Sequence, residues 1–429
     1  MHEGDLIHPN HDLHEKLQQI YALRRTRSKV NWDRDHFLRL LSDFGNPHLS
    51  LPPVIHVAGT NGKGSVIAMM RSIYEAQGYK VHVYTSPHLI RVNERIVLAG
   101  EQISDDYLSD LIDQALVYAD DKPLSFFEMM TAIAFKAFSN VPADIVLLEV
   151  GMGGRLDCTN VIENPIACVI NRISMDHTDF LGDTIEKIAL EKAGIMKADV
   201  PCFCGKQDVE VTPVLVRHAT CVGAELIDDW GIDDCDDHVQ FHYGNDSITL
   251  PFPSLSGEHQ VQNAGLALAT IYGVRKVFSV SKDALAQGLD KIDWPGRLQK
   301  LDSSAFDVSD WCEIFLDCGH NDSAGEALAA HFSGYKNRVY MILGMLKTKN
   351  IERFLRPMRP VVEEIYLISL KDDESYSATD VEGAIVCHDV FEMVRMIHEK
   401  DEKACILIAG SAYLAGDVLG YIACTMTSD

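Results

Sequence analysis

Short apolar runs, separated by longer segments with helical spacing, recur along the chain. Val54–Val57, Val81–Tyr84, Ile145–Val150 and Cys168–Asn171 form one series. Glu313–Leu316, Val339–Leu343, Ile365–Ser369 and Ile406–Ala409 form a second. Continuous apolar runs of this length read as strands buried on both faces. Their alternation with helical segments predicts an α/β fold, a mostly parallel sheet with helices on both sides. The rhythm breaks between about 221 and 255, where an acidic stretch runs from Asp228 to Asp237. That stretch reads as a solvated loop or hairpin rather than a metal site. Residues 257–272, GEHQVQNAGLALATIY, predict a helix. Trp294-Pro295-Gly296-Arg297 then punctuates the chain. A fresh series begins near 300, so a larger first domain (1–295) and a smaller second one (296–429) are expected.

Composition narrows the class. The chain has 429 residues, 47% of them hydrophobic, enough for full-sized cores. Its formal net charge of −25 argues against non-specific binding to nucleic acid or an anionic membrane. No apolar run reaches the roughly 20 residues of a membrane span, and MHEGDLIHPNHDLHEK carries no apolar signal core. A cytoplasmic protein is expected. The eleven cysteines form no framework and should be free thiols. Cys202-Phe203-Cys204 is too tightly spaced for the usual redox or zinc motifs. His2, His8, His11 and His14 are expected in a mobile solvated tail.

An anionic ligand needs a local positive site in so acidic a chain, and residues 54–65, VIHVAGTNGKGS, supply one. A strand breaks into the turn Gly59-Thr60-Asn61-Gly62-Lys63-Gly64-Ser65, and an amphipathic segment opens at Val66. Glycines let backbone N–H groups point at an anion, and the next helix presents its positive end. Lys63 can reach outer phosphates and Ser65 can ligate Mg²⁺. The strict Walker pattern is not met. Val57 stands where it wants Gly, and Gly64 intervenes between Lys63 and Ser65. A nucleoside triphosphate is the expected ligand.

Three further segments end apolar runs in polar residues. Glu149 closes one strand and opens EVGMGGRLDCTN (149–160). A carboxylate there suits Mg²⁺, although a strand-end Glu paired with Arg155 reads equally well. DHTDFLG (176–182) follows Cys168–Ile173, and His177 reads as a ligand or a cap. TIEKIALEKAGIMK (184–197) reads as a helix capped by Thr184, in which Lys192 is an ordinary solvated lysine.

Taken together, the blocks GTNGKGS (59–65), SPHLIRVNERI (86–96), SFFE (125–128), EVGMGGRLDCTN (149–160), DHTDFLGDT (176–184), EKAGIMK (191–197), WPGRLQ (294–299), DCGHN (317–321) and GMLKTKN (344–350) resemble the folylpolyglutamate synthase/dihydrofolate synthase family of Mur-type ATP-dependent ligases. They run in family order from about residue 45 to the C-terminus. The resemblance implies a P-loop-type ATPase domain followed by a smaller Rossmann-like domain. It implies ligation of L-glutamate to dihydropteroate or a reduced folate, with ATP split through an acyl phosphate.

By this resemblance, Gly59 to Ser65 hold ATP, with Asn263, Arg297, Asp317 and His320 completing its site. Ser65, Ser86 and Glu149 would hold one Mg²⁺. His177 and Glu149 would help hold a second, beside a carbamylated Lys192. Lys63, Glu149, His177 and Lys192 are the implied catalytic residues. Thr85, Ser86, Pro87, His88, Phe126, Phe127, Leu156, Asp157 and Cys158 match the folate loop and pterin pocket, although Phe126 reads as readily as a core residue. A monomer is implied.

Departures from the family pattern are few. Asp317-Cys318-Gly319-His320-Asn321-Asp322 stands for D-G-A-H-N-P, Cys158 for Ala, and Lys349-Asn350 for Lys-Asp. Asn31 and Trp32 replace the I-D-L-type block of members that accept dihydropteroate. That replacement bears on dihydropteroate recognition; the SPHL and SFFE blocks still favour a bifunctional enzyme, with a monofunctional ligase as the alternative. A peptidoglycan Mur ligase is disfavoured, because only about 50 residues precede the phosphate loop. A regulatory ATP-binding protein would lack glutamate-dependent hydrolysis.

Overall fold

The computed structural model describes residues 8–23, 34–119, 124–370 and 374–426. Asn31 and Trp32 lie outside them. Eight strands form the first sheet: β1 (Val54–Ala58), β2 (Val81–Tyr84), β3 (Ile96–Leu98), β4 (Glu101–Gln102), β5 (Ile145–Glu149), β6 (Ala167–Ile170), β7 (Pro201–Cys204) and β8 (Glu225–Ile227). Their order is β4-β3-β2-β5-β1-β6-β7-β8, parallel from β2 to β8. All residues of β1 and β5 are buried, as their continuous apolar sequences require. Alternate residues serve opposite cores. Ile55, Val57, Ile145 and Leu147 pack against helices Lys63–Gln77 and Glu258–Gly273. Val54, Val146 and Leu148 pack against helices Asp35–Asp43, Asp105–Ala119 and Phe126–Asn140.

A three-stranded antiparallel sheet follows: β9 (Trp230–Cys235), β10 (His238–Tyr243) and β11 (Asp246–Leu250). The acidic stretch is a hairpin, with Ile232, Val239 and Phe241 buried on helix Glu258–Gly273 and Asp233, Asp234, Asp236 and Asp237 exposed. A third sheet begins after Trp294-Pro295-Gly296-Arg297. Its strands are β12 (Gln299–Leu301), β13 (Glu313–Leu316), β14 (Val339–Leu343), β15 (Val362–Ile368), β16 (Ile385–Cys387) and β17 (Cys405–Ala409), in the order β12-β13-β17-β14-β15-β16. It has a core on each face.

Two expectations need correction. His8, His11 and His14 are not in a loose tail. His11–Ala22 is a helix capped by Asn10, and its Leu13, Leu17 and Ile20 are buried. His8 is buried and hydrogen-bonded to Asn93 Oδ1 at 3.0 Å. The segment after the phosphate loop becomes helical at Lys63, not Val66. The reason is that Gly62, at φ 75°, already turns the chain into the helix.

Candidate active site

Strand register builds the site. Val57 lies beside Glu149, Ala58 beside Ile170, and Tyr84 beside Leu148. The segments leaving β2, β5, β1 and β6 therefore emerge together at the carboxyl edge of the sheet, where ligands of open α/β sheets bind. They carry Ser86, Glu149, the Gly59–Ser65 loop and Asn171.

The loop is tightly enclosed. A Cβ on Gly62 would lie 2.4 Å from Asn171 Nδ2 and 2.5 Å from Asn263 Oδ1. Asn171 Nδ2 donates to Asn263 Oδ1 at 2.7 Å, so both amides are locked beneath the turn. Thr60 exchanges hydrogen bonds of 3.0 Å with the backbone of Ser174. Helix Lys63–Gln77 starts without a capping side chain, leaving first-turn N–H groups for an anion. Ser65 is buried in that turn. The missing Walker hydroxyl at residue 64 has a steric cause. A Cβ on Gly64 would lie 2.4 Å from the Trp294 ring, which packs there from the hinge.

Lys63 Nζ reaches back to the carbonyls of Gly59 (3.3 Å) and Thr60 (3.4 Å) and lies 3.7 Å from Glu149 Oε1. Glu149 Oε2 accepts from the Ser86 backbone N–H at 2.9 Å. Burial raises the Glu149 carboxyl; the Lys63 charge, the Ser86 N–H, Arg297 and Arg95 pull it back. The alternative Glu149–Arg155 pair is absent, because Arg155 bonds Glu191 at 2.7 Å instead. Arg297 stands above its ordinary value: burial opposes this, and Cys318, Asp317 and Glu149 outweigh it. Asp317 accepts the N–H groups of Leu298 (2.8 Å) and Gly319 (2.6 Å), fixing the hinge to β13.

Lys192 is not a solvated lysine. It is 5% exposed, and its Nζ donates to Gly59 O at 2.8 Å. Burial, with Lys63 nearby, lowers its pKa to about 7. Across the cleft, Lys349 Nζ bonds Asp176 Oδ1 at 2.6 Å, and His177 and His320 each lie 3.7 Å from Asp176 Oδ2. Burial alone would raise the Asp176 carboxyl; His320, His177 and Lys349 hold it well below the usual carboxylate range. His177 occupies the cap position of helix Thr178–Leu181 without a capping bond. Its ring is 41% exposed, yet partial desolvation, with Lys349, His320 and Lys192 adding to it, lowers it to about 4 against the pull of Asp176.

The expected pterin residues divide. Phe127 lies against the Gly151 turn, where a Cβ would be 2.3 Å from its ring, and it stacks on Tyr84 with centroids 5.9 Å apart. Phe126 is a core residue beneath Arg95. Thr85 and His88 are buried, His88 accepting from Arg95 Nε at 2.8 Å, while Pro87 is exposed. Asp157 is spent on its own loop, accepting from Met152 N (2.9 Å) and from Thr159 N (3.0 Å). Leu156 is half-buried, and Cys158 donates to Thr131 Oγ1 at 3.2 Å.

Sequence reasoning did not single out Asn171, Asp176, Trp294 and Asn321 as site residues. Asp176, Trp294 and Asn321 lie in marked blocks, as does Lys349, to which the sequence assigns no role. A cavity of about 340 Å³ lined by Gln207, Trp230 and Gln262 lies toward the β7–β8 edge. None of the expected site residues among those described lines it, so strand-end chemistry, not this hollow, defines the site.

Among the described residues, no three His, Cys, Asp or Glu side chains are grouped so as to hold a metal ion by themselves. The donors at hand are hard oxygens, the Ser65 hydroxyl and a buried carboxylate with one N–H partner. Such a set fits a Mg²⁺ that takes its other ligands from phosphates and water.

Phosphate loop, buried carboxylate and lysine-lined cleft between two sheets define a Mur-type nucleotide-binding protein. Residues 57–271 match the Mur ligase middle domain. The chain is 32% identical over 406 residues to the dihydrofolate synthase/folylpolyglutamate synthase of Bacillus subtilis, covering 89% of this chain and 92% of that protein. It is similar in structure to E. coli FolC in complex with DHPP and ADP, with a TM-score of 0.85, 28% identity and coverage of 96% and 98%. The bifunctional enzyme from Yersinia pestis complexed with AMPPNP and Mn ion gives a TM-score of 0.84 at 28% identity, covering 95% and 98%. The chain belongs to the dihydrofolate synthase/folylpolyglutamate synthase family of the Mur ligase superfamily.

Proposed function

We propose that this chain is an ATP-dependent ligase that adds L-glutamate to dihydropteroate and to reduced folates. A carboxylate is a poor electrophile, so the folate-type carboxylate first takes the γ-phosphoryl group of ATP. The glutamate amine then attacks the acyl phosphate, and phosphate leaves. Catalysis of this kind rests on positioning and charge neutralisation. Lys63, freed from the Gly59 and Thr60 carbonyls, neutralises the transferring phosphoryl group. The bare first-turn N–H groups cradle the inner phosphates. Arg297, Asp317 and His320 approach the nucleotide from the second domain, with the division at 295/296. Asn263 supports the loop through Asn171.

Ser65, Ser86 and Glu149 would hold one Mg²⁺, and Glu149, His177 and Lys192 a second. When bound, these ions neutralise phosphate and carboxylate charge. The observation that carries the reading is the seating of Lys192, buried 2.8 Å from Gly59 O with a pKa of about 7. Near neutrality much of it is free amine. Its nitrogen can add to CO₂, forming the N–C bond of a carbamate and releasing a proton. That exchanges a cation for an anion where metals need one. His177, at about 4, is neutral at the same pH and has a lone pair to offer.

Phe127, Leu156 and Cys158 would line the pterin site, with Thr85 to His88 as its loop. Asn31 and Trp32 would tune it. We read the protein as a cytoplasmic monomer; its eleven free cysteines suit a reducing compartment. The test is phosphate release from Mg-ATP that requires both glutamate and a pteroate-type acid. Release without glutamate would contradict the ligase reading.

A further inference from the structure

The loop leaving β2 carries Ser86, whose N–H holds Glu149, and three residues later Leu89. Leu89 belongs to the first domain by sequence but packs into the core on one face of the third sheet, with Leu414, Ala415 and Val418. Among the described residues, every other member of that core lies between Leu301 and Ile422. The backbone beside it is seated just as closely. A Cβ on Gly416, in the last helix Ala412–Met426, would lie 2.0 Å from Leu89 O and 2.9 Å from its carbonyl carbon. One turn on, a Cβ on Gly420 would meet only Ile90 Cγ2 at 3.8 Å, an ordinary contact. On the loop's other side, the Glu94 carboxylate accepts the N–H groups of Leu89 (2.7 Å), Ile90 (3.0 Å) and Arg91 (2.7 Å). The loop is therefore a rigid hook anchored at Glu94, with its tip plugged into the second domain.

We infer that Leu89 and Gly416 are positioning residues: docking of the last helix onto the Leu89 hook sets the Ser86 N–H against Glu149. Placement of the second domain and of the metal-side carboxylate then become one event. This rests on the proposed role of Glu149 toward Mg²⁺. Only glycine at 416 lets the helix approach the Leu89 carbonyl, and the clash from a larger residue is with backbone, which cannot swing aside.

The test compares Gly416→Ala, Gly420→Ala and Leu89→Ala in the full chain. Alanine favours helix over glycine at both 416 and 420, so intrinsic helix stability rises in both. Gly416→Ala should lose about tenfold or more in kcat, the scale expected of a small misplacement near the reacting groups. Mg²⁺ should tighten its ADP binding less than the parent's by calorimetry. Leu89→Ala, which cannot clash, should show the same pattern more weakly, and it carries the test alone if Gly416→Ala fails to fold. Gly420→Ala should match the parent. Parental kcat and Mg²⁺ response in Leu89→Ala, or equal losses in Gly416→Ala and Gly420→Ala, would overturn the inference. Glu149→Gln run alongside separates the two ideas. If it keeps the parental Mg²⁺ response, the metal role of Glu149 is wrong; if it loses that response while Gly416→Ala and Leu89→Ala keep it, only the coupling fails.

Discussion

Asn61 and Asn321, 260 positions apart, exchange two amide hydrogen bonds of 3.0 and 2.9 Å. Asn61 sits in the phosphate loop. Asn321 caps helix Asp322–Phe332 of the second domain, its Oδ1 also accepting from Ala324 N at 3.0 Å. The pair ties the turn that would hold ATP to the domain that would close over it. Asn61→Ala and Asn321→Ala should each raise the KM for ATP. A double-mutant cycle should show coupling of ~1 kcal/mol, the worth of a partly buried amide pair. Strict additivity would mean that the bridge does not form in the working enzyme.

Trp294 and Gly64 make a second such contact, and it explains the departure from the Walker pattern. Gly64→Ala pushes into the indole, which is packed against the core behind helix Lys63–Gln77 and whose buried N–H has no acceptor among the described residues. ATP binding should weaken about tenfold, since the ring and the first helical turn cannot both keep their places. Trp294→Leu combined with Gly64→Ala should recover part of that loss in a nucleotide titration.

Lys192 gives a pH prediction with a definite sign. Its pKa is lowered to about 7, so the reactive free amine gains as pH rises through 7 and is lost below it. At fixed dissolved CO₂, activity should fall below pH 7 from loss of the carbamate. His177, at about 4, contributes only at far lower pH. Stripping CO₂ at pH 8 should lower the rate, and bicarbonate should restore it. Lys192→Ala should lose about 10² or more in kcat and ignore CO₂ altogether. A CO₂-independent parent would contradict the carbamate.

Lys63→Ala should remove phosphoryl transfer almost completely, by about 10³ in kcat, the scale for deleting a charge aimed at the transition state. Glu149→Gln should lose activity with less change in metal-free nucleotide binding. Calorimetry with ADP, with and without Mg²⁺, separates the two effects.

What the sequence made legible was local. The phosphate loop is one continuous strand–turn–helix, so its glycines, lysine and serine are readable in line. The two strand series are readable because parallel strands buried on both faces are continuously apolar. β3, β4, β8 and β12 are short or half-exposed and carry no such signal. Lys192 was unreadable without the family resemblance, because its meaning is burial against Gly59, a contact 133 positions away. Asn171, Asp176 and Trp294 are the same kind of case. Each is an ordinary polar or hinge residue until the fold brings it to the cleft. The helix at His11–Ala22 was obscured by its histidines, although its Leu13, Leu17 and Ile20 repeat at helical spacing.

The most direct test of the central claim is phosphate release from Mg-ATP with L-glutamate, using dihydropteroate and tetrahydrofolate in turn. Release is expected with each acid, dependent on glutamate and abolished by Lys63→Ala. Release with neither acid, from a protein shown to bind ATP, would contradict the claim.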